Sequence, residues 1–145
     1  MGTNTKGETQ RKMRYCADTW FLLELHKKNE KASRIYKETI ECKNRIYIPT
    51  VSILELMRLA IRFGESLSKL DSFLNELKTS QKIQLIVLDE SIAKEAAKIS
   101  VSYNIPAIDS IIAATCKISG CNSLLTGDEH LLKLHKKKYL HVENW

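Results

Sequence analysis

Residues 45–63 read RIYIPTVSILELMRLAIRF, and the hydrophobic pattern of this stretch changes at its proline. Before Pro49, an Ile-Tyr-Ile core predicts a short strand, because β-branched and aromatic residues favour extended chain. After Pro49, apolar residues recur every three or four positions up to Phe63, which is the spacing of one helix face. The stretch therefore predicts a strand that passes directly into a helix, the unit from which α/β sheets are built.

The same alternation of patterns runs along most of the chain. Short apolar runs predict further strands at residues 15–17, 83–88, 123–126 and 139–142, and helical spacing fills most of the segments between strands. Such alternation favours a parallel sheet covered by helices on both faces. We therefore expect a single three-layer domain of the α/β class.

Length and composition set the limits of this domain. The chain has 145 residues, of which 43% are hydrophobic and 28% charged, which is ordinary for one globular domain. We expect a flexible polar leader at residues 1–12 and one folded domain at residues 13–145. Because no signal peptide and no apolar stretch of about 18 residues is visible, we expect a cytoplasmic protein without a membrane span.

Charge and cysteine content narrow the class of partner and compartment. Lys and Arg total 23 against 17 Asp and Glu, and the resulting net charge of +6 favours anionic partners, among which nucleic acid is the commonest. The four cysteines form neither a CxxC nor a Cys/His zinc pattern, so we interpret them as free thiols in a reducing compartment. No Walker loop or GxGxxG occurs, which argues against a nucleotide cofactor.

Four acidic residues occur where predicted strands end or where helices begin. Asp18 follows the first strand and Asp128 follows the strand at residues 123–126, whereas Glu55 lies in the first turns of the helix after the second strand. Asp109 opens a helix that leads back into the sheet. Ligands of open α/β sheets bind outside the carboxyl ends of the strands, so we expect these acids to meet at that edge.

Each of these acids also has a purely structural interpretation. Asp18, Asp109 and Asp128 are each positioned to cap the helix that follows, because Asp is a preferred N-cap residue. Ser52 and Glu55 together match a capping box. Any one acid, taken alone, is therefore weak evidence for a site.

Taken together, the acids favour a cation site. Several carboxylates at one edge raise one another's pKa, and this arrangement is costly unless a cation lies among them. Oxygen ligands suit Mg²⁺ or Mn²⁺. Asp89 also follows a strand and opens a helix, but we interpret it as a helix cap alone, because Asp-Glu-Ser is typical first-turn sequence.

Four segments, spread over roughly residues 13–142, carry these acids in a specific order. They are Asp18-Thr19 after the first strand, Glu55 within TVSILEL (50–56), Asp109 within PAIDSIIAAT (106–115), and Thr126-Gly-Asp128. In this order and context they resemble the acidic motifs of the PIN-domain ribonucleases. The best-populated branch that the chain resembles is the VapC-type toxins of toxin–antitoxin pairs.

The resemblance implies a fold and an activity. The implied fold is a five-stranded parallel sheet in the order 3-2-1-4-5, flanked by helices. The implied activity is that of a Mg²⁺- or Mn²⁺-dependent endonuclease that hydrolyses RNA phosphodiester bonds. The implied site consists of four metal-binding catalytic acids and two supporting hydroxyls: Asp18, Glu55, Asp109, Asp128, Thr19 and Thr126.

The resemblance also implies partners. These are an RNA substrate, a second copy of the chain in a homodimer, and an antitoxin protein, with no membrane involved. A nuclease of RNA maturation is equally compatible with the motifs. The alternative from another class is a non-catalytic RNA- or protein-binding domain.

Neighbouring residues leave further interpretations open. Trp20 departs from the family pattern, in which a small polar residue is common, and either it stacks on a base or, as we favour, it packs in the core. Arg58, Arg62 and the lysine run at 136–138 are candidates for substrate binding, although Arg58 is also spaced to pair with Glu55. We interpret His130, like the other histidines, as a surface or core residue, with a neighbour of the site as the alternative.

Overall fold

The computed structural model describes residues 12–143, which form five strands and seven helices. The strands are β1 (Met13–Ala17), β2 (Asn44–Pro49), β3 (Ile83–Ile86), β4 (Ser123–Leu125) and β5 (Val142–Glu143). The helices are α1 (Thr19–His26), α2 (Glu30–Ile40), α3 (Thr50–Arg62), α4 (Leu67–Leu77), α5 (Glu90–Tyr103), α6 (Ala107–Ile118) and α7 (Glu129–Lys136). The predicted leader lies outside the described residues, apart from Lys12. Within the described range, no helix is long and apolar enough to cross a membrane.

The five strands form one parallel sheet in the order β3-β2-β1-β4-β5, which confirms the predicted fold. Neighbouring side chains of a strand point to opposite faces, so the sheet separates two hydrophobic cores. Ala17 and Leu125 face the core that α1 to α4 cover. Cys16 and Leu124 face the core that α5 to α7 cover. The result is the expected three-layer domain.

The strand order creates a switch point at β1, where the chain crosses from one side of the sheet to the other. The chain builds β2 and β3 on one side of β1 and then crosses to build β4 and β5 on the other side. The carboxyl ends of β1 and β4 therefore lie side by side, with Ala17 opposite Leu125. The amide of Asp18 extends this pairing by donating to the carbonyl oxygen of Leu125 at 3.2 Å. Such a switch point is where open α/β sheets bind ligands.

The strands predicted at residues 83–88 and 139–142 have different bounds in the structure. The last partner of β3 is Pro49 at the end of β2, opposite Ile86, so Val87 and Leu88 have no strand beside them and the strand is shorter than predicted. The last strand begins at Val142 rather than at Tyr139. Tyr139 instead donates its amide to Leu134 and closes the end of α7.

Two of the predicted helix caps are wrong. Helix α6 begins at Ala107 after Pro106, so Asp109 lies within its first turn rather than at its cap. Proline is favoured at helix starts because its φ is already helical and its missing amide hydrogen leaves no donor unpaired there. Helix α3 likewise begins at Thr50, directly after Pro49, which places Ser52 inside the helix and excludes the capping box.

Candidate active site

All four predicted acids line a single cleft at the carboxyl edge of the sheet. Asp18, Glu55, Asp109 and Asp128 contribute to its walls, and the cleft encloses about 520 Å³. The tightest group within it consists of Asp109, Asp128 and His130, whose carboxylate oxygens and imidazole nitrogen all lie within 4.8 Å of one another. The topology has therefore brought together carboxylates that are up to 110 positions apart in the chain.

Asp18 is the most buried of the four acids. One carboxylate oxygen accepts the backbone N–H of Thr19 at 2.7 Å, and the other accepts the hydroxyl of Thr126. Asp18 is also the N-cap residue of α1, as the structural interpretation predicted. Asp18 can both cap α1 and line the cleft, because a helix cap that directly follows a central strand lies at the carboxyl edge of the sheet.

A single buried hydroxyl connects two of the acids. Thr126 donates to the carboxylate of Asp18 and accepts the backbone N–H of Asp128 at 3.0 Å. Thr19 contacts Asp18 through its backbone instead, and its hydroxyl donates to the carbonyl oxygen of Ser52 at 3.4 Å. Of the two predicted supporting hydroxyls, the hydroxyl of Thr126 therefore contacts a carboxylate, whereas the hydroxyl of Thr19 contacts the backbone.

Glu55 is positioned by a contact that the sequence did not reveal. The fully buried hydroxyl of Ser52 donates to the carbonyl oxygen of Ala17 at 3.0 Å, which fixes the first turn of α3 against the end of β1. Glu55 follows Ser52 by three residues and so lies on the same side of the helix. Its carboxylate also lies 3.4 Å from the guanidinium of Arg58, in the pairing that the spacing allowed.

Burial and mutual repulsion raise the pKa of two carboxyls. The pKa of Asp109 rises from 3.8 to about 7, because of burial first and then the charges of Asp128 and Asp18. The pKa of Asp18 rises to about 6, mainly by burial, although the hydrogen bonds from Thr126 and Thr19 oppose the shift. Near neutral pH the cleft therefore holds protons that a bound cation would displace.

The donor set of the cleft fits a hard divalent cation. Carboxylate oxygens are the ligands that Mg²⁺ and Mn²⁺ prefer, and the described lining of the cleft holds four carboxylates and no Lys or Arg, although Arg58 outside the lining pairs with Glu55. This concentration of negative charge is unusual in a chain of net charge +6. A metal bound here would have Asp18, Glu55, Asp109 and Asp128 as its candidate ligands.

Two aromatic side chains also line the cleft. His130, for which a place beside the site was the alternative interpretation, is exposed and has its ring among the acids, because it is the second residue of α7 and follows Asp128 closely. Trp20 is half-buried and forms part of the wall of the cleft. Its indole lies over Gly127, where a Cβ atom would approach the ring to 2.7 Å.

The lysine run at residues 136–138 lies away from the acids. Helix α7 begins at the cleft and leads away from it for eight residues, or about 12 Å along its axis. The run begins at Lys136, the last residue of this helix. It is therefore a poor candidate for contacts with a phosphate in the cleft.

Comparison with known proteins identifies the family. The family model of the PIN domain matches residues 15–137, which is most of the chain. The chain therefore belongs to the PIN-domain family. Among curated proteins, none matches it.

Solved structures show the same fold. VapBC2 from Rickettsia felis, bound to a DNA fragment from their promoter, aligns with a TM-score of 0.70 at 18% identity, over 92% of this chain and 99% of that one. DNA-bound VapBC from Salmonella typhimurium aligns at 0.66 and 16% identity, over 92% and 98%. A toxin-antitoxin complex from Klebsiella pneumoniae aligns at 0.58 and 18% identity, over 79% and 86%. At these identities the similarity concerns the fold.

Proposed function

We propose that the protein is a Mg²⁺- or Mn²⁺-dependent endoribonuclease that acts as the toxin of a toxin–antitoxin pair. The observation that supports this most strongly is the convergence of four carboxylates from separate segments in one cleft of a basic protein. Membership of the PIN-domain family supports a nuclease, and toxin–antitoxin complexes among the structural neighbours support the toxin role.

The proposed reaction is hydrolysis of an RNA phosphodiester bond. A water oxygen bonds to phosphorus, the bond from phosphorus to the 3′ oxygen breaks, and that oxygen takes a proton, which leaves a 5′-phosphate and a 3′-hydroxyl. The chemistry that the cation supplies when bound is activation of water and stabilisation of the charge on the phosphate. Without a cation, the carboxylates of the cleft would repel an anionic substrate.

Residues of the chain hold the cation and contact the RNA. Asp18, Glu55, Asp109 and Asp128 are the proposed ligands, and the hydroxyl of Thr126 orients Asp18. Trp20 offers an aromatic surface at the wall of the cleft on which an RNA base can stack.

Cleavage of RNA tests the proposed activity. Purified protein is incubated with a mixed pool of labelled RNAs in the presence of Mn²⁺, Mg²⁺ or a chelator, beside the Asp109→Asn and Asp89→Asn variants. Asp89 is the matched control, because it also follows a strand and caps a helix but is exposed and absent from the cleft lining. We expect metal-dependent cutting by the wild type and Asp89→Asn, and a loss of at least tenfold in Asp109→Asn. Equal cutting by Asp109→Asn, or cutting in chelator, would contradict the proposal.

An exposed apolar surface on α3 and α4 supports the proposed antitoxin partner. Four large side chains of this surface are 40–71% exposed: Leu54, Ile61, Phe63 and Leu67. Apolar patches of this kind mark protein-interaction sites. We propose that the antitoxin covers this surface.

Controlled expression in a bacterial host tests the toxin role. We expect growth arrest with the wild type and with Asp89→Asn, and normal growth with Asp109→Asn. RNA cutting in vitro without any growth arrest would instead indicate a nuclease of RNA maturation.

A further inference from the structure

A second cluster of possible ligands lies away from the acidic cleft. The side chains of Cys16 in β1, Cys116 in the last turn of α6, and Cys121 after that helix converge, with all three sulfur atoms within 4.8 Å of one another. Cys16 and Cys116 are buried in the core under α5 to α7, and Cys121 is half-buried beside them. The fourth cysteine, Cys42, is exposed and lies outside this cluster.

The backbone fixes the position of each thiol. Gly120 adopts φ +70°, which favours glycine and turns the chain back at the end of α6. The amide of Cys121 can then donate to the carbonyl oxygen of Cys116 at 3.0 Å. The amide of Asn122 donates to the carbonyl oxygen of Arg14 at 2.7 Å, and its side-chain Oδ1 accepts the amide of Arg14 at 2.7 Å, so this turn is tied to β1. On the strand itself, the thiol of Cys16 faces the carbonyl oxygen of Ile112 at 4.0 Å.

We propose that Cys16, Cys116 and Cys121 form a thiolate site for a soft d¹⁰ cation, with Cu⁺ the best match. A metal–sulfur bond of about 2.3 Å places three sulfurs about 4 Å apart in a trigonal arrangement, which is compatible with three sulfur atoms that all lie within 4.8 Å of one another. Among the described residues, no histidine or carboxylate joins the three sulfurs. Three sulfur donors suit Cu⁺, whereas structural Zn²⁺ sites have four ligands.

Binding at this site changes no oxidation state. Three S–H bonds break, three sulfur–metal bonds form, and three protons pass to solvent. The site is independent of the acidic cleft in its ligands. It would, however, connect β1, which leads to Asp18, with α6, which carries Asp109.

A competition for Cu⁺ tests the proposal on the full chain. Reduced protein is titrated without oxygen against Cu⁺ held in a coloured chelator complex, and loss of colour measures transfer to the protein. We expect the wild type, Cys42→Ser and Asp109→Asn to take up one equivalent. Cys121→Ser and Cys116→Ser should bind at least tenfold more weakly, with unchanged circular dichroism. Cys121→Ser keeps the test valid if the buried Cys116→Ser variant fails to fold.

Three results would overturn the proposal. The first is no uptake by the reduced wild type, and the second is equal uptake by Cys121→Ser. The third is a count of only two free thiols in protein purified in air, restored to four by reductant without any uptake of Cu⁺, which would indicate a Cys116–Cys121 disulfide instead.

Discussion

Ionisation of the Asp109 carboxyl lowers the stability of the metal-free protein. Its pKa is raised from 3.8 to about 7, so between these pH values the folded protein binds the proton more tightly than the unfolded chain does. The free energy of unfolding that this group contributes therefore falls as the pH rises from about 4 through 7. A bound cation reverses this penalty, because it favours the ionised form.

We predict that Asp109→Asn stabilises the metal-free protein at pH 8 and leaves its stability nearly unchanged at pH 4. Removing the repelled charge should add about 1 kcal/mol at pH 8, after a discount for partial exposure, which raises the Tm by about 2–5 °C. Thermal unfolding in chelator at both pH values measures this difference. Asp89→Asn serves as the control, with little change at either pH because Asn is also a good N-cap. A lower Tm for Asp109→Asn at pH 8 would contradict the electrostatic interpretation.

Thr126 provides the second prediction for a single residue. Thr126→Val removes the hydroxyl that donates to Asp18, and that hydrogen bond is one of the contacts that lower the pKa of this carboxyl. We expect Mn²⁺-dependent RNA cleavage to fall about 10- to 100-fold. We also expect its pH profile to move to higher pH, because Asp18 then ionises at a higher pH. Thr126→Ser, which keeps the hydroxyl, should restore the profile, and an unshifted profile in Thr126→Val would argue against this positioning role.

At the scale of secondary-structure elements, the contact between α3 and β1 determines where Glu55 lies. We predict that Ser52→Ala, which loses the hydrogen bond to Ala17, destabilises the protein by about 1–2 kcal/mol and weakens Mn²⁺ binding severalfold. Chemical unfolding and metal titration measure the two effects.

Ser66→Ala is the matched control for this helix contact. Ser66 caps α4 by accepting the amide of Lys69 at 3.2 Å, and it does not line the cleft. Its loss should cost about 1 kcal/mol of stability and leave Mn²⁺ binding unchanged. If both variants weakened Mn²⁺ binding equally, the effect of Ser52 would be one of general stability.

The elements themselves could be predicted because local sequence decides them. The pattern around Pro49 predicted β2 and α3 almost to the residue, since a proline ends one hydrophobic period and begins the other. The end of β3 could not be predicted in this way, because the end of β2 determines where pairing stops. The start of β5 could not be predicted either, because Tyr139 still closes the end of α7. The hydrogen bond of Ser52 could not be predicted from local sequence either, because the carbonyl oxygen that accepts it belongs to Ala17, 35 residues away.

At the scale of the whole molecule, the acids could be assigned to one edge because the carboxyl ends of parallel strands all lie at the same edge of the sheet. The place of His130 beside them could be given only as an alternative, since its ring joins the acids through the start of α7 at that edge. The cysteine cluster was missed for a similar reason: residues 16 and 116 are distant in the chain, and thiols in apolar stretches are usually core residues. Sequence patterns identify elements well, but side-chain clusters depend on packing.

We propose that the protein forms a homodimer through α5 and the start of α6. Val101 on α5 is 85% exposed, and it lies in an apolar depression with Leu88 and Ala107. We predict that Val101→Asp shifts the protein from dimer to monomer in sedimentation experiments, because the new charge would be buried at the interface. Ser102→Asp, at the exposed neighbouring position, should leave the dimer intact. A wild type that is monomeric at micromolar concentrations would exclude this dimer.

The most direct test of the proposed metal-dependent site is calorimetric titration of the purified protein with Mn²⁺ at pH 6.5 and pH 8 in buffers of different ionisation heat. We expect binding that releases protons, with more protons released at pH 6.5 than at pH 8, because Asp18 and Asp109 hold protons in the metal-free cleft. Asp109→Asn should bind at least tenfold more weakly, and Asp89→Asn should bind like the wild type. Absence of Mn²⁺ binding to the wild type, or equal binding by Asp109→Asn, would contradict the assignment of this cleft as a metal-dependent nuclease site.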